Sequence, residues 1–209
     1  MLQKFLFNQR GFTLMEMVVA SAVFVVVAVA ITDIFIISSN AQRRTEGAQT
    51  VSSGARFVME TVEREARMGR INYDYYTNGE ITSPTGTLAL IDPYGYPVVF
   101  KTGGADSDCH NDGKSYPCLI AGIDVNLNDS IESNEWAPIT PKGVKMPIIK
   151  FYIQPTRDPF NLNVSTGNYA ADEQPRVTIV FATQNIPVKA VEQVTVNLQT
   201  TVSSRKYGR

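Results

Sequence analysis

The sequence predicts an α+β protein. A long N-terminal helix, membrane-spanning in its first half and amphipathic in its second, would pack on an antiparallel β-sheet head. Three observations predict this fold class. An apolar run covers residues 12–37, and apolar residues then recur at spacings of three and four. After about residue 71, Pro and Gly become frequent and short segments rich in Val, Ile and Thr alternate with polar residues.

The overall composition limits the classes of function. The chain has 209 residues, of which 44% are hydrophobic and 19% charged, so it is a folded protein and not a disordered one. Its length allows one domain of ordinary size with an extension. The formal net charge is −1 and no run of Lys and Arg occurs, so we expect no nucleic-acid partner.

The apolar run is long enough to cross a membrane. It is interrupted only by Glu16 and Asp33, and as a helix it would extend roughly 39 Å, more than the hydrocarbon core of about 30 Å. Lys4 and Arg10 precede it, so the positive-inside tendency places the N-terminus in the cytoplasm and the remainder outside. A buried helix of a soluble protein is disfavoured because the run is apolar on all sides.

A secretory signal peptide is the main alternative interpretation of this segment. It requires a basic start, an apolar middle and a small-residue cleavage site, which Ala20–Ala22 or Ala28–Ala30 would supply. However, Glu16 would lie in the apolar middle, where an ionised carboxylate costs about 2.5–3.5 kcal/mol. Apolar residues also continue to Ile37, where a mature secreted protein usually becomes polar.

The segment Arg-Gly-Phe-Thr-Leu-Met-Glu at residues 10–16, followed by the apolar run, resembles the processing site of type IV prepilins. That family has a short basic leader ending in Gly, then Phe-Thr-Leu and a Glu ahead of an apolar helix. The resemblance implies that a prepilin peptidase removes the leader, residues 1–11, by cutting between Gly11 and Phe12, and methylates the new amino terminus. Met15 stands where the family usually has Ile or Leu, and the Pro that many members carry in the helix is missing.

The resemblance also implies a role for Glu16 in assembly. Cleavage would create a positive α-amino group at Phe12, four residues from Glu16 on one helix face. In the family, this Glu is thought to meet the terminal amine of a neighbouring subunit. Because an unpaired carboxylate in a low-dielectric filament core would oppose a wrongly docked subunit, we expect Glu16 to set the register of assembly.

Residues 38–70 predict an amphipathic helix that connects the apolar helix, residues 12–37, to the head. One stripe of apolar residues has helical spacing, and i,i+4 pairs of opposite charge, Glu60–Arg64 and Glu63–Arg67, lie on the other face. The stripe consists of Val51, Ala55, Val58, Val62 and Ala66. Gly47 and Gly54 weaken the helix by about 1 kcal/mol each, and Gly69 is a plausible end. This segment resembles the second half of the stalk helix in minor pilins and in the J-type pseudopilins of type II secretion systems, and a W-type subunit is a further possibility within the same family.

Residues 71–209 predict a β-rich head. Candidate strands are Thr87–Ile91, Pro97–Lys101, Ile148–Gln154, Arg176–Thr183 and Gln193–Ser203. The last two alternate most clearly and would form a hairpin.

The two cysteines, Cys109 and Cys118, are separated by eight residues. Since the head is expected outside the cytoplasm, a disulfide can form and persist there. In the chain-entropy model, so short a loop contributes somewhat under about 3 kcal/mol. Two free thiols are the alternative. A zinc site that adds His110 is disfavoured because a fourth ligand is missing.

A second polar loop, residues 124–135, follows the ligand order of the twelve-residue calcium loop. The candidate calcium ligands are Asp124, Asn126, Asn128, Ser130 through its carbonyl, Glu132 and Glu135. Asp129 stands where Gly normally makes the sharp turn, and Asp tolerates left-handed backbone better than most residues. The alternative is an acidic surface loop without a metal.

No nucleophile–base pair or phosphate loop occurs, so we expect no enzyme. The main hypothesis is a structural subunit, a minor pilin or pseudopilin of a type IV filament system. It would cross the cytoplasmic membrane once with its head outside, and then enter a periplasmic or extracellular filament. Its partners would be other pilin subunits, prepilin peptidase and the inner-membrane assembly platform. The alternatives are a membrane-anchored or secreted binding module with a calcium-braced head and, last, an anchored enzyme.

Overall fold

A computed structural model describes residues 11–103, 109, 115–128, 130–163, 167–169, 173–186 and 189–205. The leader before Gly11, with Lys4 and Arg10, lies outside the described residues, as do His110 and Asp129. The chain forms two compact units that divide between Arg43 and Arg44.

Helix α1 covers Leu14–Met68 and ends where the sequence predicts. The backbone N–H of Gly69 donates to the Glu65 carbonyl at 2.8 Å, which satisfies one of the last carbonyls of the helix. The weak helix formers Gly47 and Gly54 lie within α1 at points where the helix packs closely on the head. A Cβ on Gly47 would lie 2.7 Å from Asn185 Nδ2, and one on Gly54 would lie 3.2 Å from Val144 Cγ2.

Two antiparallel sheets make up most of the second unit. The first has the order β1-β2-β3-β4-β5, and the second has the order β10-β9-β6, while β7 pairs with β8. The strands are β1 (Arg70–Ile71), β2 (Thr87–Ile91), β3 (Pro97–Gly103), β4 (Cys118–Ile123), β5 (Trp136–Pro138), β6 (Val144–Gln154), β7 (Leu162–Asn163), β8 (Asn168–Tyr169), β9 (Arg176–Asn185) and β10 (Thr195–Ser203). The predicted fold class, a long helix followed by an antiparallel head, is confirmed.

The apolar stripe of α1 forms one side of the core. All five of its residues are buried, together with Gly54 and Met59. Fully buried side chains of both sheets complete the core, among them Leu88 and Phe100 from the first sheet and Phe151 and Phe181 from the second. The rings of Phe151 and Phe181 meet edge to face with centroids 6.0 Å apart. Burial of each such side chain contributes about 1.5–3 kcal/mol, so the core fixes the second half of α1 on the head.

The charged face of α1 differs in detail from the prediction. Arg67 approaches Glu63 at 4.0 Å, as the i,i+4 spacing predicts. Arg64 instead contacts its neighbour Glu65 at 3.5 Å. The Arg64 side chain is 63% exposed, so this contact has little effect on stability.

Two tyrosines anchor the connection between β1 and β2. The Tyr73 hydroxyl donates to the Pro155 carbonyl at 3.1 Å. The Tyr76 hydroxyl donates to the Thr87 carbonyl at 3.1 Å and accepts the Ala89 N–H at 3.0 Å. Burial, which disfavours the charged phenolate, raises the pKa of Tyr76 to about 12 and that of Tyr73 still further.

Candidate processing and assembly site

The N-terminus of α1 is closed by a capping box. The backbone N–H of Glu16 donates to Thr13 Oγ1 at 3.2 Å, and the backbone N–H of Thr13 donates to Glu16 Oε2 at 3.1 Å. The Thr13 hydroxyl donates to the same carboxylate oxygen at 3.2 Å. These reciprocal bonds satisfy N–H groups that the first helical turn leaves without a partner. The carboxylate also complements the positive end of the helix dipole.

The expectations from sequence omit this capping box, although its signature is present. Thr13 is followed three residues later by Glu16, directly before an apolar run, which is the S/T-x-x-E pattern of a helix start. Glu16 therefore has a local structural role within its own chain. Its expected role in assembly stays a prediction.

Gly11 and Phe12 lie before the first residue of α1, and both are exposed among the described residues. A Cβ placed on Gly11 would meet no atom within 4 Å, and the Phe12 side chain is 80% exposed. The peptide bond between these residues is therefore accessible from solvent. Both partners of the capping box, Thr13 and Glu16, follow this bond, so cleavage there would leave the cap in place.

The first half of α1 presents an apolar surface on all sides. Every large hydrophobic side chain described between Phe12 and Ile37 is exposed, and a window of 18 residues has a mean hydropathy of 2.6 with none of it buried. The two hydroxyls in this stretch bond back to their own helix, since Ser21 donates to the Val18 carbonyl and Thr32 to the Ala28 carbonyl. Length, composition and internal hydrogen bonding are those of a helix able to cross a membrane.

Residues 6–32 match a family model described as the prokaryotic N-terminal methylation motif. The chain therefore carries the type IV prepilin signature, and its long helix and antiparallel sheets give it a pilin-like architecture. The motif and the apolar helix together fit membrane anchoring with the head outside. No curated protein and no solved structure matches this chain.

A disulfide joins Cys109 to Cys118, as the sequence predicts. It connects the segment after β3 to the first residue of β4, and the two Cα atoms are 6.6 Å apart. Gly103, the last residue of β3, lies against both sulfurs. A Cβ there would fall 2.7 Å from Cys118 Sγ and 3.3 Å from Cys109 Sγ, so the bridge requires glycine at this position.

Hydrogen bonds within the loop after β4 connect the six residues that are candidate calcium ligands. Buried Asp124 accepts the backbone N–H of Asn128 at 3.2 Å, and the Asn128 side-chain amide donates to Glu132 Oε1 at 3.3 Å. Glu135 accepts from the Asn126 side-chain amide at 3.1 Å. The Ser130 N–H donates to Asn128 Oδ1 at 3.0 Å, and its carbonyl is the group that the prediction assigns to the metal.

These hydrogen bonds hold the loop in a shape that differs from a preformed metal cage. Within the described residues, no group of three or more His, Cys, Asp or Glu is placed to hold a metal ion. Glu132 and Glu135 form a capping box around the short 3₁₀ turn Ser133–Glu135. Leu127 is left-handed, with φ of 54°, while Asp129 lies outside the described residues. Calcium binding at this loop stays a prediction, and it would require the two asparagine amides to rotate so that oxygen faces the ion.

Proposed function

We propose that this protein is a structural subunit of a type IV filament system, a minor pilin or pseudopilin that assembles through α1. The observation that carries this proposal is the methylation motif at residues 6–32, which includes the first residues of the exposed apolar helix. Prepilin peptidase would cut between Gly11 and Phe12 and methylate Phe12. An enzymatic role is not part of the proposal.

The accessible Gly11–Phe12 bond supports processing at this position. The bond lies in non-helical backbone, since α1 begins only at Leu14. Gly11 has open space on the side where other residues carry a side chain. The capping box would keep the mature helix closed after the cut, because Thr13 and Glu16 remain together.

The disulfide supports a head outside the cytoplasm. Such bonds form and persist in oxidising compartments and are rare in the reducing cytosol. In this proposal the subunit waits in the cytoplasmic membrane, crosses it once, and then enters a periplasmic or extracellular filament. Its partners are other pilin subunits and the inner-membrane assembly platform.

Mass spectrometry of the mature N-terminus tests the proposal. We expect protein purified from membranes of a host with prepilin peptidase to begin at a methylated Phe12. Gly11→Val is the matched control, because it changes the cleavage position alone and should leave the leader attached. A mature chain that begins at Val23 or Ile31, after the small-residue sites, would instead support a secretory signal peptide. An intact Met1 in the wild type would also refute processing.

A calcium-braced binding module, anchored or secreted, is the second candidate. The observation that favours it is the loop at residues 124–135, where all six candidate residues hydrogen-bond to one another through side-chain or backbone groups. A calcium ion would replace these bonds with oxygen ligands and fix the loop between β4 and β5. Calcium binding alone does not exclude filament assembly, so the N-terminus decides between the two candidates.

A further inference from the structure

Strand β10 has one paired edge and one free edge. It pairs with β9 over nine residues without a register shift and is the last strand of its sheet. In the part of the chain that the structure describes, no strand pairs with its other edge. The strand is longer than the usual five or six residues, so this edge is long enough to bind another segment of chain.

The ladder between β9 and β10 determines which backbone groups face the free edge. The Asn185 N–H donates to the Val194 carbonyl at 3.3 Å, and Thr183 Oγ1 donates to the Val196 carbonyl at 3.0 Å. Residue pairs in an antiparallel ladder alternate between bonded and non-bonded. Alternate residues therefore direct N–H and C=O away from β9, namely Thr195, Asn197, Gln199, Thr201 and Ser203. No backbone hydrogen bond joins these five to any other described residue outside β9.

Within the described part of the chain, the free edge lacks the features that usually prevent strand addition. Natural proteins protect an edge with Lys, Pro, a bulge or a covering element. The β10 sequence, Thr-Val-Asn-Leu-Gln-Thr-Thr-Val-Ser, contains no charge and no Pro, and its register has no bulge. The five residues whose backbone groups face the free edge all have polar, neutral and exposed side chains. The edge therefore offers unpaired donors and acceptors without electrostatic repulsion.

The side chains of β10 that face the core indicate which kind of strand could pair with its free edge. In β9, Thr183 and Phe181, which pair with Val196 and Leu198, are fully buried, and near the end of β10 Val202 is buried too. In β10, Val196 and Leu198 are only half-buried, because nothing among the described residues covers them from the open side. A neighbouring strand with an apolar residue at every second position would remove this surface from water.

We propose that the β10 edge binds an extended segment of a partner polypeptide, in which apolar and uncharged polar residues alternate, as a fourth strand of this sheet. Main-chain hydrogen bonds to the five residues that face the free edge provide the affinity. Half-buried Val196 and Leu198 provide the preference for a segment with an apolar residue at every second position. This binding site is independent of processing at Gly11 and of any metal at residues 124–135.

A pair of substitutions at Gln199 tests the proposal on the full chain in detergent micelles. The probe is a fluorescent synthetic peptide as long as β10 in which Thr and Val alternate. Gln199→Ala removes the side chain and keeps the outward N–H. Gln199→Pro also removes that N–H and adds a ring on the free edge, where Pro is tolerated because no native ladder bond is lost. We expect the wild type and Gln199→Ala to bind with the same Kd, and Gln199→Pro to bind at least about tenfold more weakly.

Amide hydrogen exchange gives a second measurement that does not depend on a variant. Peptide binding should slow exchange at Asn197, Gln199 and Thr201, whereas Leu198 and Thr200 are already protected by β9. Equal affinity of Gln199→Pro and the wild type would overturn the proposal, as would the lack of saturable binding to the wild type. Self-association without peptide that Gln199→Pro abolishes would assign the edge to a second copy of the chain, and would also overturn it.

Discussion

The charge and the capping role of Glu16 can be separated by one isosteric change. In Glu16→Gln the side-chain carbonyl still accepts the Thr13 N–H, which the carboxylate now accepts at 3.1 Å, so the cap is retained. The negative charge is lost, and with it any pairing with the α-amine of a neighbouring subunit. Thr13→Ala does the opposite, because it removes the cap hydroxyl and keeps the charge.

The two effects differ in size. Loss of a Thr cap destabilises a helix start by about 0.5–2 kcal/mol, and α1 continues for 55 residues, so Thr13→Ala should fray only the first turn. A pair of opposite charges about 4 Å apart interacts by about 4 kcal/mol at an effective dielectric constant of 20. Glu16→Gln should therefore impair assembly far more than Thr13→Ala. Insertion should be unaffected, because Glu16 lies in the first turn of α1 and not at the centre of the membrane segment, where a carboxylate is costly.

The assay compares membrane-inserted and filament-incorporated protein for the wild type, Glu16→Gln, Glu16→Ala and Thr13→Ala. We expect normal insertion in all four, reduced incorporation in both Glu16 variants, and near-normal incorporation in Thr13→Ala. If Glu16→Gln enters filaments like the wild type while Glu16→Ala does not, the cap and not the charge is what assembly requires. Normal incorporation of both Glu16 variants would refute a role for this side chain altogether.

Three further predictions concern the head. A Cβ on Gly122 would lie 2.6 Å from Ile131 Cγ2 and 2.9 Å from the Trp136 ring. Gly122→Ala should therefore destabilise the folded head by about 1–3 kcal/mol, measured by thermal unfolding. Gly86→Ala is the control and should change stability little, because the nearest atom to its Cβ would be 3.8 Å away. Calcium should raise the Tm of the wild type and not that of Glu135→Gln. An equal rise in both proteins, or no rise in the wild type, would refute calcium binding at this loop. Burial raises the pKa of Tyr76 from 10.0 to about 12, so its contribution to stability is fully present below pH 10 and is lost as pH rises towards 12. Tyr76→Phe should therefore show a shallower alkaline decline in the free energy of unfolding, and an unchanged slope would contradict this cause.

The sequence predicts features that depend on periodicity and on local motifs. The α1 stripe, the end of the helix before Gly69 and the bounds of β2 all agree with the structure. Strands β1, β4, β5, β7 and β8 have no counterpart in the sequence prediction. β4 is buried on much of both faces, so its sequence does not alternate between apolar and polar residues. β1 and β5 have only two and three residues, so the pairing of these two strands depends on neighbours distant in sequence. The same limit applies to the loop at residues 124–135, where ligand order is local but the hydrogen bonds that occupy the side chains depend on the folded backbone.

The cap and the proposed pairing at Glu16 are compatible within one side chain. Both bonds from Thr13 end on Oε2, so the capping box does not use Oε1. Before cleavage the carboxylate closes the helix that carries the subunit in the membrane. After cleavage the same geometry would hold Oε1 in a fixed direction at the helix N-terminus, where an incoming α-amine could bind. Preorganisation of this kind lowers the entropy lost on docking, because the rotamer of Glu16 is already restricted before the partner arrives. On this basis Thr13→Ala should slow incorporation slightly without abolishing it, and its effect should vanish in the Glu16→Gln background if charge pairing has already been lost.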